Sequence, residues 1–216
     1  MTGDWHGGTG YVSLCERSRE RQRRALRLIE TYWQDLSRDA CGIPERAAVD
    51  PRRIEDGLEY AFLLQRIAPG QARLRIAGAH LNDLTGMEVA GLPLSALILP
   101  DHRARLAKAL EAMFRDGGIL RAEMSAQTGF GRPELRAEMT VLPLRSESGQ
   151  VDRAIGGLIT IGKIGRTPRR FELGALKVQK VGAPSREMPV TGFAEAPTPF
   201  APSRLQPHLR LVVCND

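Results

Sequence analysis

The spacing of hydrophobic residues changes along the chain and separates helical from extended segments. Within residues 17–38, apolar side chains recur every three or four positions, which predicts an amphipathic helix. The same spacing returns within residues 100–114, and Gly117–Gly118 ends this second helix. The chain therefore begins with a helix that precedes the main body of the fold and carries a longer helix near its middle.

After this glycine pair the period becomes two. Residues 119–128, 135–144 and 154–164 predict three strands in which apolar and polar positions alternate. Residues 59–67 and 73–77 predict an earlier hairpin. The pattern predicts an α+β fold: a five-stranded antiparallel sheet with helices on one face, and an N-terminal flanking helix.

The segment from residue 73 to residue 103 is the most informative. A short strand meets Gly78, and a short helix carrying Leu81 and Leu84 on one side ends at Gly86. Pro100 then opens the longer helix. This order resembles the first half of a PAS domain, and it is closest to a bacterial subfamily of stand-alone PAS-like regulators. The resemblance spans residues 32–163 and rests on Trp33, Leu36, Pro44, Arg46, Asp50, Pro51, Leu58, Arg75, Ala77, Gly78, Leu81, Leu84, Gly86, Glu88, Gly91, Leu94, Leu97, Pro100 and Arg103.

The resemblance implies a sensor or docking module rather than a catalyst, and it fits a division of the chain into four parts. Residues 1–15 are predicted to be flexible, residues 16–57 to form the flanking helical segment, and residues 58–164 to form the PAS-like core. Residues 165–216 are rich in proline and basic side chains, which predicts a mostly disordered tail. Within that tail, residues 171–181 are predicted as a short helix and residues 209–213 as a strand-like end.

Charge and cysteine content limit the classes of partner. The net charge is +6, but residues 39–162 hold 15 Lys and Arg against 16 Asp and Glu, so the basic excess lies at the ends. The near-neutral charge of residues 39–162 argues against nucleic-acid binding by the fold itself, and nucleic-acid binding through the basic ends stays an alternative. Three widely spaced cysteines, no signal peptide and no apolar run of about 18 residues predict a cytoplasmic protein that does not bind membranes.

The sequence offers little support for catalysis. His80 and His102 lack the spacing of a metal site, and no nucleophile motif or phosphate-binding glycine loop is present. His80 is predicted on the surface of the short helix, and His102 as a solvent-facing or capping residue. Some PAS-like relatives carry a flavin beside a reactive cysteine, whereas Cys41 here precedes the predicted sheet-and-helix unit, so the resemblance argues against flavin photochemistry. We therefore expect no enzyme activity and no metal, flavin or haem cofactor.

The expected function is sensory or regulatory, through a small ligand, a signalling protein partner, or both; a ligand-free adaptor is the alternative. Arg75 is expected to pair with a carboxylate, and Arg103 with carbonyl groups of the preceding loop. The flanking helix is expected to form a homodimer, with packing on its own sheet as the rival. The predicted ligand pocket comprises Leu64, Ile76, Leu81, Leu84, Leu97, Leu106, Leu110, Met139 and Ile159; the structural motif comprises Arg75, Gly78, Gly86, Glu88, Gly91 and Arg103; the dimer interface comprises Leu26, Ile29 and Trp33.

Overall fold

A computed structural model of the chain describes residues 14–181, and the side chains of residues 16–181. The predictions for residues 1–13 and 182–216, including the strand-like end at 209–213, lie outside the described residues. Among the described helices, none combines the length and the apolar character needed to cross a membrane.

The chain forms an α+β fold around one antiparallel sheet, which confirms the predicted fold class. The strands follow the order β2-β1-β5-β4-β3-β6 across the sheet. The described sheet has six strands rather than the predicted five. The strands are β1 (Ala61–Ala68), β2 (Gln71–Ala77), β3 (Gly118–Ala126), β4 (Leu135–Arg145), β5 (Val151–Gly162) and β6 (Phe171–Lys180); the helices are α1 (Leu14–Asp39), α2 (Ala79–Thr85) and α3 (Pro100–Asp116), with 3-10 segments at Arg46–Ala48, Pro51–Gly57 and Leu94–Leu97.

The helices between β2 and β3 cover the first face of the sheet, which we call the inner face. Pro100 stands in the first turn of α3, and Gly117 ends the helix in the left-handed conformation with φ 63°. Leu106, Leu110 and Met113 of α3 face the sheet, as the spacing predicted, and each is at most 1% exposed. The inner face is therefore a packed apolar core.

Helix α1 covers the second, outer face. Ile29 and Trp33 are 0% and 2% exposed, and Leu26 is 8% exposed. The Trp33 indole Nε1–H donates a hydrogen bond to the Pro143 carbonyl at 2.8 Å. The predicted dimer interface at Leu26, Ile29 and Trp33 is thus wrong, because a single chain already buries these side chains. The apolar stripe of α1 is removed from water by packing on its own sheet and leaves little surface for a partner to cover.

Two adjacent glycines of β5 allow close packing on opposite faces of the sheet. A Cβ on Gly157 would lie 2.8 Å from Leu26 Cδ1, so Gly157 lets α1 approach the outer face closely. A Cβ on Gly156 would lie 2.5 Å from Phe62 Cζ, so Gly156 makes room for Phe62 in the inner core.

Strand β6 corrects the predicted boundary of the core. Residues 171–180 form neither a helix nor part of a disordered tail, but pair antiparallel with β3. Phe171 and Leu173 are 0% and 3% exposed and belong to the inner core. Pro168 and Pro184, on either side of this segment, suggested a linker. The alternation of apolar and polar residues around Phe171 and Leu173 was too short to predict the strand.

Candidate functional site

Most of the side chains predicted to line a ligand pocket do come together on the inner face. They belong to one apolar cluster, and each is at most 2% exposed. They contact one another and their neighbours as a core does. A ligand between them would have to displace packed side chains. The set consists of Leu64, Leu81, Leu84, Leu97, Leu106, Leu110 and Met139.

Two of the predicted pocket residues lie elsewhere, which corrects the prediction. Ile159 packs on the outer face with Ala25, Leu26 and Tyr60. Ile76 is 57% exposed and pairs across β1 and β2 with Leu63, also on the outer face. The bulge between Leu63 and Leu64 in this pairing shifts the alternation of β2, a feature that period-two reasoning does not foresee.

Ile76 lines an apolar cavity on the surface, which we call the outer-face groove. It has a volume of about 260 Å³ and runs between the β1–β2 hairpin and the segment that follows α1. Its walls are apolar side chains rather than ionised ones, apart from Arg46 at one end. The residues that shape it include Val49, Pro51, Ile54, Leu58, Leu63 and Ile76.

The groove is open where Leu58 and Ile76 meet solvent. Leu58 is 39% exposed and Ile76 is 57% exposed, whereas Ile54 at the base is 2% exposed. Asp50 accepts a hydrogen bond from the Arg52 backbone N–H at 3.0 Å, which fixes the wall that follows it. A rigid base with an exposed apolar rim suits the docking of an apolar side chain from another molecule.

The residues of the structural motif act on the backbone. The Arg103 Nε–H donates to the Ile98 carbonyl at 3.1 Å, which confirms the predicted bond to the preceding loop. The prediction of a carboxylate partner for Arg75 is wrong, because its Nε–H donates to the Gln65 side-chain amide oxygen. Glu88 is exposed, and no hydrogen bond or ion pair to its side chain occurs within residues 16–181.

The three glycines of this motif serve local geometry. Gly86 ends α2 with φ 72°, and Gly91 has φ 86°. Gly78 is needed for a different reason: its backbone is extended, but a Cβ would lie 2.2 Å from the Glu59 carbonyl oxygen. The glycines therefore shape the connection between β2 and α3 rather than a chemical site.

A buried polar cluster joins α1, α2 and β5, and sequence reasoning missed it. His80 is 5% exposed, and its Nε2 lies 3.0 Å from the Thr160 hydroxyl. The rings of His80 and Tyr60 lie 5.0 Å apart at 59°. Gln22 of α1 accepts a hydrogen bond from the Thr160 backbone N–H at 3.1 Å. The expectation of a surface His80 is wrong, because the first turn of α2 packs against the residues just before β1, where the His80 backbone N–H donates to the Glu59 carbonyl and the His80 ring meets Tyr60.

Burial controls the ionisation of this cluster. It lowers the pKa of His80, against a smaller opposing effect of the Glu59 and Asp83 carboxylates. Burial also raises the pKa of Tyr60, and the Glu59 carboxylate adds to that rise. A neutral imidazole bonded to a threonine hydroxyl lacks an orienting carboxylate and an open substrate position. The cluster is therefore suited to holding α1 to the fold rather than to catalysis.

A second, charged groove of about 560 Å³ separates α1 from β3, β4 and β6. Glu30 of α1 accepts hydrogen bonds from Arg121 at 3.3 Å and from the Thr140 hydroxyl at 2.6 Å. Arg23 lies 3.7 Å from Glu138. These pairs of opposite charge hold α1 against the sheet. Because both signs line the groove, its electrostatic potential does not favour a ligand of one charge.

His102 differs from its prediction in a minor way. It is half-buried, and its Nδ1 accepts a hydrogen bond from the Leu173 backbone N–H at 3.3 Å, which links α3 to β6. Across the described part of the chain, no three His, Cys, Asp or Glu side chains are grouped so as to hold a metal ion.

Comparison with known proteins places these features in a family. Residues 21–159 match the PAS domain. A search of curated proteins finds no match. One similar solved structure is an RNA-binding light-oxygen-voltage receptor, at 18% identity and TM-score 0.37, with 54% of this chain and 35% of that chain covered. Another is a sensory box histidine kinase/response regulator from Burkholderia thailandensis E264, at 20% identity and TM-score 0.34, with 52% of this chain and 85% of that chain covered. The match with the receptor thus spans about a third of that protein's length, 35%.

Proposed function

The chain belongs to the PAS domain family, and from this premise we propose that it is a sensory or regulatory protein that works by binding other molecules and not by catalysis. We propose further that it acts in the cytoplasm, as a homodimer that also engages a signalling protein. The odd number of widely spaced cysteines supports a reducing compartment.

The outer-face groove is the observation that carries the binding function. The apolar stripe of α1 is fully used within one chain, whereas Leu58 and Ile76 leave apolar surface in contact with water. An exposed apolar rim over a rigid base gains free energy when a partner covers it, at roughly 25 cal/mol for each Å² removed from water. Partner binding therefore belongs to the β1–β2 side of the outer face.

A second copy of the chain is the simplest occupant. In a two-fold dimer each groove would meet the same surface of the other copy, so the apolar rims would cover each other. The cross-strand pair of Leu63 and Ile76 would lie at the centre of such a contact. Little rearrangement is needed, because these side chains stand on a paired hairpin rather than on a loop.

Light scattering coupled to size-exclusion chromatography tests this assignment. We expect the mass of a dimer for the wild-type chain and the mass of a monomer for Ile76→Glu, since a buried carboxylate at the contact is costly. Met87→Glu serves as a matched control, because Met87 is 60% exposed and does not line the groove. A dimer that survives Ile76→Glu would refute the groove as the interface.

A metabolite screen by thermal shift distinguishes partner binding from ligand binding in the inner core. A ligand that binds only the folded chain raises its melting temperature. If one metabolite raises it and Leu110→Trp abolishes the rise, the inner face is a ligand site and not only a core. We expect no such metabolite-specific rise, because Leu110 is 1% exposed among packed neighbours.

A further inference from the structure

A pocket at one end of the sheet holds positive charge that no described carboxylate neutralises. It has a volume of about 160 Å³ and lies where the loop after β3, the loop between β5 and β6, and the start of α3 meet. It is separate from the outer-face groove. Its walls are Leu99, Gln127, Arg132, Pro168, Arg169 and Arg170.

Arg169 is the fixed part of the pocket. It is 1% exposed, and its guanidinium donates to the carbonyl oxygens of Ile164 at 2.7 Å, Pro133 at 2.8 Å and Gln127 at 3.2 Å. Carbonyl dipoles orient this cation but do not neutralise it. Buried charges in proteins are normally paired with an opposite charge, so an uncompensated arginine marks a place where an anion is stabilised.

Arg132 and Arg170 are the adjustable part. Both line the pocket, and within residues 16–181 neither side chain makes a hydrogen bond or ion pair. Arg132 and Arg169 line the same pocket, and burial, followed by repulsion from the Arg132 charge, lowers the pKa of Arg169. An anion between them would relieve that repulsion.

The surroundings reinforce the positive potential. Residues 163–170 also contain Lys163 and Arg166, and they contain no Asp or Glu. Helix α3 begins at Pro100, directly after Leu99 of the pocket wall, so the positive end of its dipole lies at the rim. These features add to the guanidinium groups and favour the same sign of ligand.

We propose that this pocket binds a small tetrahedral oxyanion of the phosphate class, clasped by Arg132 and Arg170 over the fixed charge of Arg169. The volume of about 160 Å³ corresponds to roughly five water molecules at about 30 Å³ each, which suits a phosphate group rather than a whole nucleotide. The planar donor forks of arginine match the oxygen atoms of such an anion.

Titration calorimetry with inorganic phosphate tests the site in the full chain, with sodium chloride at matched ionic strength as the reference. We expect binding at one site per chain, and a loss in affinity of about tenfold or more when Arg132→Gln and Arg170→Gln are combined. Arg136→Gln is the control, because the Arg136 side chain is 71% exposed, lies in β4 outside the pocket and pairs with Glu134 just before that strand. Neither Arg132→Gln nor Arg170→Gln removes a described side-chain hydrogen bond, so the double variant is expected to fold.

Four further outcomes decide the proposal. Equal phosphate binding by the wild-type chain and the double variant would overturn it, and so would an effect no larger than that of chloride. Glycerol phosphate binding tighter than inorganic phosphate, with the same loss in the double variant, would support the site and identify a phosphomonoester as its ligand. Phe130, 95% exposed at the tip of the β3–β4 loop, could stack a base. Binding of a short single-stranded oligonucleotide without binding of phosphate would therefore replace the small-anion site with a nucleic-acid surface.

Discussion

The two faces of the sheet are built differently. The inner face is continuous and apolar, and α2, α3 and the segment between them cover it with side chains that are almost fully buried. The outer face combines aromatic side chains, glycines and ion pairs under α1, and leaves the groove around Ile76 open. The inner face is therefore taken up wholly by packing, whereas the outer face packs under α1 and leaves exposed the groove at which we propose that a partner binds.

Removing β6 should break the inner face most severely. A chain that ends at residue 165 loses Phe171 and Leu173, and with them one of the two strands that pair with β3. We expect it to lose cooperative unfolding altogether, whereas a chain that ends at residue 181 should melt as the full chain does. Circular dichroism during heating measures both. A normal melt for the shorter chain would show that β6 is an accessory strand.

On the outer face, Trp33→Ala should cost about as much stability as a large-to-small change in the inner core, roughly 3–5 kcal/mol. The reason is that Trp33 is 2% exposed and bonds to the Pro143 carbonyl across the sheet. Urea unfolding measures the loss, and Leu110→Ala on the inner face provides the comparison at about 2–5 kcal/mol. A loss below about 1 kcal/mol for Trp33→Ala would mean that α1 is only loosely attached.

The His80 cluster, which joins the two faces, should make stability depend on pH. Because burial lowers the pKa of His80 in the folded chain, the unfolded chain binds the proton more readily as the pH falls below about 6.5. The stability that the neutral imidazole contributes is therefore present above that pH and is lost progressively below it. Urea unfolding at several pH values should show this loss in the wild-type chain.

Comparison of two variants isolates the His80 effect. His80→Gln cannot titrate in this range and should flatten the dependence just below about pH 6.5. His102→Gln, which alters the α3–β6 contact instead, should retain it. If both variants keep the same acid-dependent loss as the wild-type chain, carboxylates cause it and His80 does not.

The features that could be predicted from the sequence are those that depend on residues close together in the chain. Strong local periodicity predicted α1, α3 and β1 to β5 and an antiparallel sheet with helices on one face, and the family resemblance supported that arrangement. The burial of Trp33 under its own sheet and the pairing of β6 depend on contacts between residues far apart in the chain, as does the His80–Thr160 contact. A helix stripe shows that Trp33 must be covered, but not by what.

The candidate sites were harder to predict than the fold. Leu58 was part of the family pattern, yet its place in the outer-face groove depends on Ile76, which a bulge in the β1–β2 pairing turns outward. The pocket at which we propose oxyanion binding gathers Arg132 and Arg170 from two loops separated by all of β4 and β5. In the sequence, Arg132 belongs to the near-neutral segment 39–162 and Arg170 to the basic C-terminal segment. A count of charge by segment therefore could not show that the two side chains line one pocket.

Hydrogen–deuterium exchange at low and high protein concentration tests most directly whether the outer face is the binding face. The account predicts that raising the concentration slows exchange in residues 58–67 and 71–77, around Leu63 and Ile76, and that Ile76→Glu removes this change. Residues 94–113 on the inner side should exchange at the same rate at both concentrations. Slower exchange confined to residues 94–113, with none in the β1–β2 hairpin, would contradict the account.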